Sequence, residues 1–577
     1  MGLENFYFCG ILRLIANITT KEKNMALSDE IVDRLMGDGI PSVEEIEKKY
    51  LPRTLSEGQC VTRIAPSPTG FMHLGSVYAA LISERVAHQS GGVFMLRIED
   101  TDTKREVEGA AEFIIKALGD FGLEFDEGPL NDREEVGAYG PYVQSKRREI
   151  YQAYIKELLK KGGAYPCFCS EDEINAMRER QTKAGGRPGY YGMWAKCRNL
   201  TEEQIKANLD AGKPFVIRFK SPGKYINKIA IEDVCRGKRF FPENDLDIVI
   251  MKSDKLPTYH FAHLIDDHLM GTTHVLRGDE WLSSLPLHIQ LFQVMGWTPP
   301  KYGHIAPIQK LEDEARRKLS KRKDPEANIA FYGEKGYPKE VVIDYLMNLA
   351  NSDFEDFKRA NPEKSYRDFE FKIERLNNSG PLLDFVKLEN ISKEFIATLS
   401  ADELYARLYD WAGKHDVVLQ KRMDEQSAYF KQILNIERGN CDRVRKDFYM
   451  MSAIYPEISY FFDDEFKLTP DGALSELSNL PQEDVKFIAN AYCGLYDEND
   501  NKDEWFAKVK EFALANGYAK NAKEIAKNPD IKYKGTVSDV ATVLRVLMTG
   551  RRESPDLYSI MQVLGRDRVM KRLGLLG

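Results

Sequence analysis

The chain has 577 residues, which at about 150 residues per domain predicts about four domains. Its net charge of −8 and pI near 5.8 argue against indiscriminate nucleic-acid binding, although a local basic groove is enough for specific RNA recognition. No apolar run reaches the roughly 20 residues of a membrane span, and five of the eight cysteines are scattered singly. This pattern predicts a protein of a reducing compartment, the cytoplasm, with no membrane anchor.

Residues 1–58 are predicted to be an N-terminal extension that is helical or disordered, with Met25 as an alternative start. Pro41-Ser42-Val43-Glu44-Glu45 indicates a helix start, because serine is a preferred N-cap and acidic residues favour the first turn.

The next segment predicts a βαβ unit. Residues 60–65 are expected to form a strand, residues 66–70 a loop rich in turn formers, and residues 73–89 a helix. The apolar run 93–98 is typical of a strand buried in a parallel sheet. We therefore predict a Rossmann-like α/β nucleotide-binding domain at this end of the chain.

The later pattern predicts that an insertion interrupts this domain and that a helical tail follows it. The predicted boundaries are 59–140 and 256–315 for the two catalytic halves, 141–255 for an inserted α+β domain, 316–400 for a first helical domain and 401–577 for a second helical region.

A tight loop and a helix N-terminus are predicted at the end of the first strand. The stretch is Pro66-Ser67-Pro68-Thr69-Gly70-Phe71-Met72-His73-Leu74-Gly75-Ser76. Ligands of open α/β sheets bind at such ends, and helix N-termini attract phosphate through their unpaired N–H groups. His73 can donate a hydrogen bond to phosphate there, and Gly75 permits close approach. The alternative is an ordinary strand, turn and helix with a histidine near the cap.

A basic stretch, Arg316-Arg317-Lys318-Leu319-Ser320-Lys321-Arg322-Lys323, follows far downstream. A mobile basic loop of this kind can cover nucleotide phosphates and stabilise the charge that develops as pyrophosphate leaves. The alternatives are a solvated surface run and a general RNA-backbone patch.

Taken together, the two stretches resemble the signatures of class I aminoacyl-tRNA synthetases. His73-Leu74-Gly75-Ser76 is similar to "HIGH", and Lys318-Leu319-Ser320-Lys321-Arg322 is similar to "KMSKS". Four further stretches resemble the bacterial-type glutamyl-tRNA synthetases: Arg63-Ile64-Ala65-Pro66-Ser67-Pro68-Thr69-Gly70, Arg97-Ile98-Glu99-Asp100-Thr101-Asp102, Pro257-Thr258-Tyr259-His260 and Asp266-Asp267-His268-Leu269-Met270-Gly271. The resemblance extends from about residue 60 to the C-terminus.

The resemblance implies that ATP and Mg²⁺ activate glutamate to glutamyl-adenylate, in a step that needs tRNA, and that the terminal adenosine of tRNA(Glu) then accepts the glutamyl group. It implies catalytic roles for His73, Gly75, Lys318 and Lys321. The implied ATP-binding residues are Pro66, Ser67, Thr69, His73, Gly75, Ser76, Lys318, Leu319, Ser320 and Lys321. The implied glutamate-binding residues are Arg63, Ser67, Glu99, Tyr259, Arg277 and His263, the last standing where several relatives carry asparagine.

Arginine suits this substrate because its planar fork binds a carboxylate with two hydrogen bonds, and glutamate carries two carboxylates. The alternatives are that Arg63 and Arg97 are structural ion-paired residues and that Glu99, Asp100 and Asp102 cap the following helix. For Asp266-Asp267-His268, we favour a hydrogen-bonded structural turn over a metal site.

Two cysteine-containing stretches resemble the zinc site that some relatives carry in the insertion. They are Cys167-Phe168-Cys169 and Cys197-Arg198-Asn199. Asn199 stands where a histidine is expected, so only three thiolates remain, and a closed structural site needs four ligands. Tyr190 or Tyr191 is the candidate for the fourth ligand.

By resemblance, the insertion binds the acceptor stem, residues 316–400 carry the KMSKS-like loop and contact the stem, and the helical tail binds the anticodon. Discriminating relatives read the third anticodon base with an arginine; here Arg438 lies beside that place and Asn440 occupies it. This departure predicts that tRNA(Gln) is also accepted. The chain is expected to act as a monomer.

Other functions fit the sequence less well, among them that of a shortened relative that modifies a tRNA base, because such a protein lacks the anticodon part that this chain has. Glutaminyl-tRNA synthetases tend to carry Pro-Pro-Glu-Pro-Asn-Gly in the first loop, and small nucleotidyltransferases lack a helical tail. A catalytically inactive tRNA-binding protein would not need His73, Lys318 and Lys321, which are all present.

Overall fold

The computed structural model describes residues 26–102, 105, 107–320, 322–439, 441 and 444–577. The chain divides into two compact units. The first contains the described residues up to Phe331 together with Ile343–Leu383, and the second contains Tyr332–Val342 and Asp384–Gly577. Among the described residues, no helix is both long and apolar enough to cross a membrane.

The centre of the first unit is parallel sheet. Strand β1 (Val61–Ile64) pairs in parallel with β2 (Val93–Leu96), and the helix Leu74–Gln89 connects them, as the sequence predicts. All four residues of β1 are buried, which agrees with a sheet covered on both faces.

Hydrogen bonds across a long sequence separation join the two predicted catalytic halves. Thr273 donates its N–H to the carbonyl of Val61 at 2.9 Å, and the N–H of Val61 donates to Thr273 Oγ1 at 2.8 Å. The strand that starts at the next residue, His274–Gly278, is parallel to Lys301–Ile305, with the helix Leu285–Met295 between them. The Rossmann-like prediction is therefore confirmed.

The insertion contains its own antiparallel sheet, in the order Ala164–Cys167, Val216–Phe219 and Val249–Met251. A hairpin within the same range, Lys228–Asp233 with Gly237–Pro242, instead pairs with Lys301–Ile305 of the second catalytic half. The insertion and that half thus share a sheet.

The N-terminal extension is folded from residue 26 onward. Its helices are Asp29–Met36 and Val43–Lys49, and the second begins with the capping box that the sequence indicates, between Ser42 and Glu45. Ile31 and Leu35 belong to the same apolar cluster as Tyr151 and Leu158 of the insertion. Residues 1–25 lie outside the described part of the chain.

The remaining elements are mostly helical. The other helices of the first unit are Ala110–Asp120, Arg148–Lys160, Glu171–Lys183, Glu202–Asp210, Tyr259–Leu269 and Asp353–Ala360. Two further helices each contain a boundary between the two units. They are Ala330–Lys335 and Lys339–Ala350. Short antiparallel pairs are formed by Gly128–Pro129 with Glu135–Val136 and by Gln309–Glu312 with Ala315–Lys318.

The second unit is built from helices around one apolar core, as predicted for the tail. The helices that lie wholly in it are Phe385–Thr398, Ala401–His415, Val417–Glu425, Ser427–Leu434, Met451–Ile458, Pro470–Glu476, Gln482–Cys493, Lys502–Ala515, Ala522–Lys527, Val537–Thr549, Leu557–Leu564 and Arg566–Leu573.

A buried cluster of ion pairs connects elements of the first unit that are far apart in the sequence. Arg97, at 0% exposure, follows β2 and donates to Asp267 Oδ1 at 2.7 Å and to Glu99 Oε1 at 3.0 Å. Asp266 accepts from Arg147 Nε at 2.7 Å and lies 3.6 Å from Arg97 Nε. The two aspartates lie in the helix Tyr259–Leu269, so the prediction of a turn is wrong, although their ion pairs confirm a structural role.

We expect Asp266→Ala to lower the free energy of unfolding by about 3–5 kcal/mol, because it leaves buried guanidinium charge without its counterion. The matched control is Asp120→Ala, which removes the exposed pair of Lys116 and Asp120 and is expected to cost less than about 1 kcal/mol. Urea unfolding followed by tryptophan fluorescence measures both. Equal effects of the two substitutions would contradict the role of the cluster.

Candidate active site

The first helix of the site begins at Leu74, and His73 is its N-cap. The Nδ1 atom of His73 accepts a hydrogen bond from the N–H of Gly75 at 2.9 Å, which places the ring proton on Nε2. A Cβ at residue 75 would lie 3.0 Å from this Nδ1, so glycine is the residue that lets the ring cap the helix. His73 therefore combines a cap with a proton donor at a helix N-terminus, a site that favours phosphate.

The loop before this helix is fixed to the end of β2. The N–H of Glu99 donates to the carbonyl of Pro66 at 3.0 Å, and within the loop the N–H of Thr69 donates to the carbonyl of Ser67 at 2.8 Å. Further down the chain, Asn328 forms an antiparallel bridge with His73. The chain just after the downstream basic segment therefore lies beside the N-cap of the first helix, although the two are distant in sequence.

The basic segment itself is a hairpin. Ala315–Lys318 is a strand paired with Gln309–Glu312, so the prediction of a loop is wrong for residues 315–318. Asp313 and Glu314 both have positive φ, as a tight two-residue hairpin turn requires. Lys318 Nζ lies 3.2 Å from Glu280 Oε2. Lys321 lies outside the described residues.

One cavity of about 920 Å³ unites most of the predicted site residues. Those that line it are Arg63, Pro66, Ser67, Thr69, His73, Gly75, Ser76, Glu99, Tyr259, Arg277, Lys318 and Leu319. Ser320 and His263 do not line it. The cavity therefore runs from the helix N-terminus and the basic hairpin to two arginines, a carboxylate and a tyrosine.

Arg63 and Glu99 lie between this cavity and the ion-pair cluster. Arg63 Nε is 3.4 Å from Asp267 Oδ1, and Glu99 accepts from Arg97 rather than capping a helix. The next helix starts only at Ala110, so the capping alternative is wrong. Burial raises the pKa of Glu99, whereas Arg97 and Arg63 favour its ionised form.

His263 is not a cavity residue. It is fully buried; its Nδ1 lies 2.7 Å from Asp267 Oδ2 and its Nε2 lies 3.1 Å from the Tyr302 hydroxyl. The structure thus contradicts its predicted contact with glutamate. Arg63 Nη2 is 3.4 Å from the same Nδ1. His263 therefore contacts Arg63 from inside the protein and not from the cavity.

The sequence gives no role to the imidazoles around Arg277. Arg277 Nε donates to His304 Nε2 at 3.1 Å, and Nη1 lies 3.1 Å from His288 Nδ1. His260, which the sequence shows only as the last residue of the Pro257–His260 motif, lines the cavity and lies 2.9 Å from His288. Trp281 also lines the cavity, with its ring 4.4 Å from that of Tyr259. Sequence spacing carried no signal for these contacts, because they join different elements.

The three cysteines of the insertion form a compact group whose sulfur atoms lie within 4.8 Å of one another. The hydroxyl of Tyr190 is 3.5 Å from the sulfur atoms of Cys167 and Cys169, and it accepts from the N–H of Cys197 at 3.0 Å. Tyr191 instead donates its hydroxyl to the carbonyl of Arg187. Hydrogen bonds with Cys169 and Cys197 lower the pKa of Cys167, which favours one thiolate in the group.

The second unit contains a different cavity, of about 900 Å³. Arg445 lines it, is 5% exposed and donates Nε to Asp447 at 2.6 Å. Its Nη1 and Nη2 atoms have no hydrogen-bond partner among the described residues. Lys446 and Arg551 also line the cavity, where Lys446 pairs with Glu394 and Arg551 pairs with Glu457. The lining further contains the acidic residues Glu437, Asp447 and Glu553.

The side chain of Arg438 is largely occupied by the protein. Arg438 is buried and donates to the carbonyls of Leu434, Ile396 and Leu399. Its Nη2 atom has no hydrogen-bond partner among the described residues, and the predicted tRNA contact stays a prediction. Asn440 lies outside the described residues, and its predicted role stays a prediction.

Two family models match the chain. The catalytic domain of class I tRNA synthetases (E and Q) matches residues 59–380, and an anticodon binding domain matches residues 403–575. The chain is 47% identical over 526 residues to a glutamate–tRNA ligase of Clostridium perfringens, covering 91% of this chain and 96% of the relative. It is 45% identical over 548 residues to one of Acetivibrio thermocellus, covering 94% and 98%.

Among solved structures, the chain is similar to a glutamate tRNA ligase from Elizabethkingia meningosepticum in complex with its amino acid. The TM-score is 0.70 at 27% sequence identity, and the match covers 89% of this chain and 98% of that chain. A glutamate-tRNA synthetase of Elizabethkingia anophelis matches with a TM-score of 0.68 at 28% identity, covering 89% and 99%.

Proposed function

The chain belongs to the class I glutamyl- and glutaminyl-tRNA synthetase family, and from this premise we propose that it is a glutamate–tRNA ligase. The observation that carries the proposal is the single cavity in which His73 and Lys318 adjoin Arg63 and Arg277. The first pair suits a nucleotide triphosphate, and the second suits a substrate with two carboxylates.

In the first step, an oxygen of the glutamate α-carboxylate attacks the α-phosphorus of ATP. The bond from that phosphorus to the bridging oxygen breaks, pyrophosphate leaves, and glutamyl-adenylate forms. No side chain needs to act as a covalent nucleophile, because positioning and charge stabilisation are sufficient for such a transfer. His73 Nε2–H and Lys318 are placed to stabilise the charge that develops on the phosphates.

In the second step, a hydroxyl of the terminal adenosine of tRNA attacks the glutamyl carbonyl and gives its proton to the departing phosphate. The ester bond forms, the bond from the acyl carbon to the phosphate oxygen breaks, and AMP leaves with its electron pair. Before the first step, Arg63 and Arg277 hold glutamate through its two carboxylates, and Glu99 holds its ammonium group. In the adenylate, only the side-chain carboxylate remains for an arginine to hold. This arrangement also favours glutamate over glutamine, because a neutral amide does not make the charge-assisted bidentate pair.

Mg²⁺ is proposed to enter with the triphosphate. Such an ion keeps several waters and binds mainly through substrate phosphates, whose charge it neutralises.

The cavity around Arg445 is the proposed site for a nucleotide of the anticodon. The family match covers it, and the two guanidinium nitrogens without partners are suited to a base edge or a phosphate. Whether tRNA(Gln) is also accepted depends on the prediction for Asn440.

We expect the purified chain to charge tRNA(Glu) with glutamate and to exchange pyrophosphate into ATP only when tRNA is present. Glutamine is the matched amino-acid control, and tRNA(Gln) is the matched tRNA control. Charging of both tRNAs with glutamate would support the broader specificity. Failure to charge either tRNA, or a preference for glutamine, would overturn the proposal.

His73→Asn tests the phosphate donor separately from the helix cap. The Oδ1 atom of asparagine can take the position of Nδ1 and keep the bond from Gly75, but the Nε2–H donor is lost. We expect kcat to fall about 100-fold, as when one donor to a transition state is removed, with an unchanged melting temperature. A kcat equal to that of the wild type would remove His73 from the chemistry.

We also propose that Cys167, Cys169, Cys197 and Tyr190 bind one structural Zn²⁺. Three sulfur atoms that lie within 4.8 Å of one another and the adjacent phenol oxygen supply the four ligands that a closed site needs.

Metal analysis of the purified protein is expected to find about one equivalent of zinc, and Cys197→Ser is expected to lose it. Cys60→Ser, at a thiol far along the chain from the group, is the control. Less than about a tenth of an equivalent in the wild-type protein would dispose of the site.

A further inference from the structure

The guanidinium of Arg277 is held by neutral acceptors. Its Nε donates to His304 Nε2 and its Nη1 faces His288 Nδ1, each at 3.1 Å. Among the described residues, no carboxylate forms an ion pair with Arg277. By contrast, Arg63 and Arg97 both pair with Asp267. Arg277 is 6% exposed and lines the cavity, so its charge is nearly desolvated yet not compensated by the protein.

The tautomers of the two histidines follow from these contacts, because arginine can only donate. His304 must accept at Nε2, so its Nδ1 carries the proton and donates to Asp233 Oδ2 at 2.6 Å. His288 must accept at Nδ1, so its Nε2 donates to His260 Nδ1 at 2.9 Å. Asp233 therefore reaches Arg277 only through an imidazole, and its Oδ1 accepts from the backbone N–H groups of Cys235 and Arg236.

Both imidazoles are kept neutral by their surroundings. Burial lowers the pKa of His288 well below its ordinary value, and nearby Arg277 lowers it further. Burial also lowers the pKa of His304, although Asp233 opposes this shift. Neutral imidazoles accept hydrogen bonds from the N–H groups of an arginine without neutralising its positive charge.

We propose that His288 and His304 are positioning residues that hold the guanidinium of Arg277 in place and leave its charge for the side-chain carboxylate of the substrate. This inference rests on the proposed function and deepens it, because it assigns a source of the preference for an acidic amino acid. A carboxylate at either histidine position would hold the fork equally well, but it would supply the counterion from within the protein.

The isosteric pair His288→Asn and His288→Asp separates these two roles. In both variants an oxygen can take the position of Nδ1 and accept from Arg277, and only the charge differs. We expect the KM for glutamate to rise by about 10-fold to 100-fold in H288D relative to H288N, the range for losing a hydrogen bond to a charged group. The KM for ATP and for tRNA is expected to be the same in the two variants.

Two measurements guard against a merely structural effect. Glutamine is tested as a competitive inhibitor, and its inhibition constant is expected to change far less than the KM for glutamate, since its side chain carries no charge. The pair His274→Asn and His274→Asp is the control, because His274 lies in the same strand and contacts Thr273 rather than Arg277. Melting temperatures of all four variants show whether each is folded.

The outcomes are distinct. If the wild-type chain does not use glutamate, the proposed function fails. If it does, but H288D and H288N have the same KM for glutamate, the positioning role is wrong. A loss of glutamine inhibition as large as the rise in KM for glutamate would likewise overturn it. Should H288D fail to fold, a KM for glutamate in H288N far above that of the wild type overturns the proposal, because a neutral acceptor must restore the fork.

Discussion

The structure depends on the compensation of buried guanidinium charge. Arg97 follows β2 and is fully buried, and its counterions Asp266 and Asp267 come from one helix about 170 residues further along the chain. Removing such charges from water is costly, so each must be matched within the protein. Although burial alone raises the pKa of Asp267, Arg63 and Arg97 hold it well below its usual range. The strands and the helix that bear these residues are therefore fixed in one arrangement, and the cavity is formed on its surface.

Against this background, the two arginines of the cavity differ in kind. Arg63 is connected to the compensated cluster through Asp267, whereas Arg277 is surrounded by imidazoles. In the wall of the cavity, the charge of Arg63 therefore stabilises the fold, whereas the charge of Arg277 is available to a ligand. At the other end, His73 and Gly75 place a donor at the helix N-terminus, and Lys318 of the basic hairpin lines the same cavity.

The sequence predicted the βαβ unit, the helical tail and most of the cavity, because each depends on local periodicity or on a contiguous motif. The predictions were wrong where contacts between residues far apart in the sequence determine the structure. Residues 315–318 look like a charged loop, but pairing with residues 309–312 makes them a strand. Asp266 and Asp267 look like a polar turn, since buried acids are rare in helices, and their partners are too distant to be seen in the sequence. His263 was misplaced for the same reason, because its burial away from the cavity decides its role. Of the two tyrosines left open, only tertiary packing distinguishes Tyr190.

The hydrogen bonds between Val61 and Thr273 have a consequence for biosynthesis. They span 212 residues, so the central sheet cannot close until the ribosome has delivered everything between them. At about 5–20 residues per second, this interval lasts roughly 10 to 40 s. Throughout it, the buried strand β1 has an unpaired edge, while the insertion, which has its own three-stranded sheet, emerges in between. A nascent chain of this architecture is therefore most exposed to aggregation before its second catalytic half appears, and it is there that a chaperone would act.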